Sequence, residues 1–111
     1  MSDSTIDEAI VRELEATAGK EFVAELATTF MEEAPVMLAQ LRAAQTKGDA
    51  EEFRRTAHSL KSNSVTFGAM RLGDMARQLE QNGLITDAEP LNALEAEFDL
   101  VSTALTEFIG G

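Results

Sequence analysis

The chain holds a single imidazole, His58, in the string Ala57-His58-Ser59-Leu60-Lys61-Ser62. Imidazole has an ordinary pKa of about 6.5, so near neutral pH it is largely unprotonated and can attack phosphorus without a strong base. Lys61 follows one helical turn later. An ammonium at that spacing can stabilise the charge that spreads over three phosphoryl oxygens in a loose transition state. A carboxylate there would repel phosphate, and none lies within four residues of His58 on either side.

The elements that must position these groups are helical. Apolar residues recur at threes and fours almost throughout, and no stretch alternates with period two. A short first helix is expected to begin at Ser4 or Thr5, either of which can cap it, with Ile6, Ile10 and Leu14 on one face and Gly19 as its end. From Lys20 to about Thr46, the residues Val23, Leu26, Phe30, Met37, Leu41 and Ala44 mark a long amphipathic helix, with a kink or break expected near Glu32 to Ala34, and a kink favoured because the apolar register runs on across Pro35. Gly48 stops that helix, and Asp49 with Glu52 makes a capping-box-like start for the next. Its core face reads Phe53, Ala57, Leu60, Ser64 and Phe67. Gly68 ends it, and a further helix carries Leu72, Met75, Ala76 and Leu79 inward before Asn82-Gly83. The last helix begins between Asp87 and Pro90 and shows Leu91, Leu94, Phe98, Val101, Leu105 and Phe108. Four such helices on short loops predict an all-α, antiparallel up-down-up-down four-helix bundle with a short additional N-terminal helix, residues 1–111 forming a single domain.

On a helical wheel with Phe53 marking the core direction, His58 lies about 140° away, with Lys61 at about 80°, Arg54 at about 100°, Val65 at about 120° and Ser62 at about 180°. The histidine therefore faces water or a partner. Helical side chains lean toward the N-terminus, so residue 62 overhangs His58, and a serine there leaves the ring accessible. If the following hairpin turns at Gly68, the residue level with His58 on the next helix is near Gln78. Arg54, Ser62, Val65 and Gln78 thus form the expected phosphate- and partner-facing surface around His58 and Lys61.

Composition narrows the function classes. There is no Cys, which removes disulfides, thiolate nucleophiles and Cys-ligated zinc. A formal net charge of −11 argues against nucleic-acid and anionic-membrane partners. Five of the nine basic residues nevertheless fall between Phe53 and Leu79, against one acid, Asp74. No apolar run reaches the roughly 20 residues that span a bilayer and no signal peptide is visible, so a cytoplasmic location is expected. The chain has no Walker-type loop or G-x-S-x-G elbow, and Arg55 stands where a di-metal bundle would need a glutamate three residues before the histidine. Neither a metal site nor autonomous kinase activity is expected.

The longer string from Ala57 to Ala69, with Ser59-Leu60-Lys61-Ser62 after the histidine, Phe67-Gly68-Ala69 at its end, then Leu72 and Leu79-Glu80, resembles the signature of histidine-containing phosphotransfer (HPt) domains. Phe30-Met31-Glu32-Glu33-Ala34-Pro35, Leu38, Leu41 and Gly48-Asp49 extend the resemblance over nearly the whole chain. By that resemblance His58 is the phosphorylated residue, Lys61 the phosphate-stabilising cation and Gly68-Ala69 the turn into the next helix. Ser62 departs from the pattern, which commonly has glycine there. The resemblance implies a phosphorelay intermediate rather than an enzyme. It would be a monomer that exchanges a phosphoryl group with response-regulator receiver domains and a sensor histidine kinase, binding no cofactor itself and meeting Mg²⁺ only on the receiver. The competing reading is a phosphate-free helical adaptor that uses Val65 and its apolar neighbours to hold a partner helix.

Overall fold

The computed structural model describes residues 5–110. It contains five helices: α1 (Glu8–Ala18), α2 (Lys20–Lys47), α3 (Ala50–Thr66), α4 (Met70–Asn82) and α5 (Glu89–Gly110). α2 to α5 form the antiparallel bundle and α1 packs against α2. The antiparallel course of α2 and α5 shows in two contacts far apart along them. Arg42 donates to Asn92 and Glu95 near one end, and the Thr106 hydroxyl meets Met31 Sδ nearer the other. Among the described residues, no helix is long and apolar enough to cross a membrane.

The core is the sum of the predicted stripes. Phe53, Ala57, Leu60, Ser64 and Phe67 are all buried, as are Leu72, Ala76 and Leu79 of α4 and Leu91, Leu94, Phe98, Val101 and Leu105 of α5, while Met75 and Phe108 are half-buried. Phe30 of α2 ties three helices together: its ring stacks on Phe67 with centroids 5.3 Å apart and meets the edge of Phe98 at 5.9 Å. Asp49 caps α3, accepting from the Glu52 N–H at 3.1 Å.

Two expectations are corrected. The first helix begins at Glu8, with Asp7 as its cap, rather than at Ser4 or Thr5; Ser4 lies outside the described residues. The chain is held extended at Asp7, where the N–H donates to the Gly68 carbonyl at 2.8 Å, so helical geometry starts only afterwards. Ile6 therefore plugs the core from outside the helix, and Val11, at the position where a hydrophobic staple meets it, is the buried residue of α1. The second correction concerns the break allowed at Pro35: α2 runs as one helix across it, as the continuous apolar register favoured, with Ala34 buried and Pro35 exposed. The continuous apolar stripe holds both halves of α2 in one packing register, so packing outweighs the hydrogen bond lost at the proline.

The N-terminal contact needs glycine at position 68. Its φ is +71°, and a Cβ there would come within 2.7 Å of the Asp7 carbonyl oxygen. Gly48, also left-handed at +75°, has nothing within 4 Å. Gly48→Ala should therefore cost only backbone strain, about 1–2 kcal/mol, and Gly68→Ala at least about twice as much, because strain and overlap add. Urea unfolding of the two variants measures the difference. Equal losses would show that the segment at Asp7 is not seated on the turn.

Candidate functional site

The site is assembled by the α3–α4 hairpin. α4 comes close to α3 because Gly73 presents no side chain: a Cβ there would be 3.1 Å from Val65 Cγ2 and 3.6 Å from the Lys61 carbonyl oxygen. With Val65 opposite Gly73, each step back along α3 matches a step forward along α4. Seven residues from each lie His58 and Glu80.

These two touch. His58 Nδ1 is 2.8 Å from Glu80 Oε2, and Lys61 Nζ is 3.0 Å from Glu80 Oε1. One carboxylate thus clamps both groups of the H-x-x-K pair. The Lys61 hydrogen bond foremost, and that of His58 next, hold the Glu80 carboxyl below the usual carboxylate range, against a smaller opposing effect of desolvation. An ionised carboxylate can only accept, so in a neutral imidazole the proton sits on Nδ1 and the lone pair on Nε2. The His58 side chain is 56% exposed while those of Lys61 and Glu80 are 27% and 22% exposed, so the clamp lies to one side and leaves the ring open to approach.

The expected surface residues fall into place with one correction. Arg54 and Ser62, one turn before and one turn after His58, are exposed, as is Val65, and Arg54 joins no ion pair among the described residues. Gln78 is exposed too, but its amide is engaged along its own helix by Asp74 Oδ2 at 3.2 Å. The residue level with His58 is Glu80. The hairpin is centred on Ala69 rather than Gly68, because Phe67, Gly68 and Ala69 share the turn, and moving the centre by one moves the opposing residue by two.

Glu80 is also the group that local sequence reading passed over. The window around His58 is free of acids, yet the carboxylate arrives from 22 positions away. Its only sequence signal was the Leu79-Glu80 pair, where a buried leucine fixes which way the next side chain points. Among the described residues, no group of three or more His, Cys, Asp or Glu side chains is placed to hold a metal ion.

The model of the Hpt domain family matches residues 25–104. The chain belongs to the Hpt domain family. The Hpt chain also resembles the crystal structure of histidine-containing phosphotransfer protein B (HptB) from Pseudomonas aeruginosa PAO1. The likeness has a TM-score of 0.88 and 27% sequence identity over 98% of this chain and 97% of that one. No curated protein sequence matches it. Family and structural likeness give the Hpt chain a role in histidine phosphotransfer, as a phosphocarrier rather than an enzyme in its own right.

The clamp has a defined pH signature. Because the Glu80 carboxyl is held low in the folded protein, its contribution to stability is fully present above the usual carboxylate value of 4.5 and is lost as pH falls through the lower folded value. The stability gap between the parent and Glu80→Gln should therefore be fully present above 4.5 and close as pH falls below that value through the lower folded one. Urea unfolding across that range tests it, and a gap that persists in strong acid would mean that the carboxylate charge is not its source.

Proposed function

We propose that His58 carries the phosphoryl group in a phosphorelay, accepting it from the phospho-aspartate of a receiver domain or from a kinase and passing it to the aspartate of another receiver. The observation that supports this most is the Nδ1 contact with Glu80, which leaves Nε2 as the free nucleophile on an exposed ring. In acceptance, the Nε2 lone pair forms the N–P bond while the acyl P–O bond breaks, its electron pair going to the departing carboxylate. The Nδ1 proton stays where it is.

Lys61 is the cation of the site. Its ammonium sits one turn from His58 and is tethered only by a carboxylate that touches the imidazole as well, so a short swing brings it to the phosphoryl oxygens. Arg54, Ser62 and Val65 form the face on which a receiver docks, with Gln78 at its margin. This Hpt domain brings no metal ligand to that encounter; the receiver brings its acceptor aspartate and Mg²⁺, which neutralises the phosphoryl charge. We further propose that residues 1–111 act as one domain, a monomer in the cytoplasm, without autonomous kinase activity. The charge balance favours receivers and kinases over nucleic acid or membrane as partners. The adaptor reading leaves the bridging of His58 and Lys61 by one carboxylate without a purpose.

His58→Gln should keep the bundle, because its site is at the surface, and lose all phosphorylation by a phosphorylated receiver domain. The label on the parent should be lost in mild acid and survive base. Acid-labile label on His58→Gln would overturn the assignment.

A second variant tests access. Ser62→Leu replaces a serine with a better helix former on an exposed face, so circular dichroism should show an intact fold, while a bulky side chain leaning toward His58 should slow phosphorylation tenfold or more, on the order of 1.4 kcal/mol in the barrier. Phosphorylation at the parent rate would show that residue 62 does not roof the ring.

A further inference from the structure

Glu80 is placed to act on a step that acceptance of the phosphoryl group does not test. When the N–P bond breaks, its electron pair returns to Nε2. If Nδ1 carries a proton, the ring departs as a neutral imidazole. If Nδ1 has lost its proton, the ring must depart as an imidazolide anion, a far poorer leaving group. Onward transfer therefore depends on keeping a proton on the nitrogen that does not react.

The groups facing the ring are few. From α4 comes Glu80, at 2.8 Å from Nδ1; on α3, Arg54 lies one turn before and Lys61 one turn after His58, with Lys61 Nζ at 3.0 Å from the other oxygen of the same carboxylate. The hydrogen bonds and ion pairs of the described residues bring no α2 or α5 group to the ring, and Arg77, one turn before Glu80 on α4, is held by Asp74. Among the described residues, Glu80 is thus the one anion against Nδ1. In the unphosphorylated site it divides its charge between an ammonium and the ring. A phosphoryl group on Nε2 offers Lys61 new oxygens, and as Lys61 turns to them the Glu80 carboxylate is left to the Nδ1–H, whose ring is now cationic.

We propose that Glu80 is the positioning residue for departure: by accepting a hydrogen bond from Nδ1–H of phosphorylated His58, it keeps the ring protonated, so that the phosphoryl group leaves a neutral imidazole. This deepens the carrier reading and rests on it. Atoms and electrons balance without an added acid, since the N–P pair neutralises the ring's positive charge and the Nδ1 proton never moves. Glu80 touches neither phosphorus nor the incoming oxygen.

The test uses the full chain, ¹⁵N-labelled and loaded with potassium phosphoramidate as a small-molecule phosphoryl donor. His58 is the only histidine, so ring signals are unambiguous. Loss of the phosphoryl group to water is then followed by ³¹P NMR from pH 5 to pH 9 in the parent, Glu80→Gln and Glu80→Ala. In acid, where the phosphorylated ring is protonated in every form, the three rates should converge. Near pH 8.5 the parent should release phosphate about tenfold faster than Glu80→Ala, with Glu80→Gln between them because its amide oxygen accepts but carries no charge. A measurement on the parent alone guards against a variant that misfolds: at pH 8 the ¹⁵N shift of Nδ1 should report a protonated nitrogen, whereas phosphohistidine as the free amino acid should not. Equal rates in parent and Glu80→Ala across the range, or a parent Nδ1 that is deprotonated like the free amino acid, would overturn the role of Glu80 while leaving the carrier reading in place. Failure of phosphoramidate to load His58 would overturn both.

Discussion

The approach of α4 to α3 at Gly73 is the constraint on which the site depends. A methyl group at that position would press on Val65, whose side chain would have to give by a few tenths of an ångström. Seven residues further along each helix, that closeness allows a 2.8 Å contact between Nδ1 and a carboxylate. Hydrogen bonds weaken steeply with distance and angle, so the geometry of the clamp is a readout of how well the helices pack below it.

The far end of the hairpin is held by a different device. Gly68 adopts a left-handed conformation, and the segment at Ile6 and Asp7 lies against it, with the Asp7 N–H on the Gly68 carbonyl and Ile6 in the core. The N-terminal segment thus closes over the turn that sets which residue of α4 faces which residue of α3. Phe30, stacked on Phe67 beside that turn and edge-on to Phe98, connects the same end to α2 and α5. The chemistry occupies the exposed middle of α3, and the rigidity that aims it comes from the buried end.

The electrostatics of the site follow from sharing. A lone lysine beside histidine would be a free phosphate trap, and a lone glutamate would repel phosphate. Set together on one carboxylate, the three groups carry little net charge in the unphosphorylated protein, yet each has a partner to leave when a dianion arrives. The half-buried position of Lys61 and Glu80 matters here, because charges in partial contact with protein interact more strongly than fully solvated pairs, whose attraction water and salt largely screen.

Much of this was legible in the residues alone. Helical period, capping residues and glycines determined the count and boundaries of α2 to α5, and the stripe through Phe53, Ala57, Leu60, Ser64 and Phe67 placed His58 on the wet side of its helix. Such patterns are local: they depend on the 3.6-residue repeat and on groups within a turn of one another. Three features were not local, and only the tertiary structure decided them. The start of α1 moved because the Gly68 carbonyl captured the Asp7 N–H, the choice between a break and a continuous α2 at Pro35 fell to continuity because its neighbours held both halves, and Glu80 rather than Gln78 met His58. The last depends on how many residues the turn consumes, and a change of one in its centre moves the facing residue by two. Charge counted along the chain described a basic stretch; charge summed in space includes a carboxylate, and it is the spatial sum that the imidazole experiences.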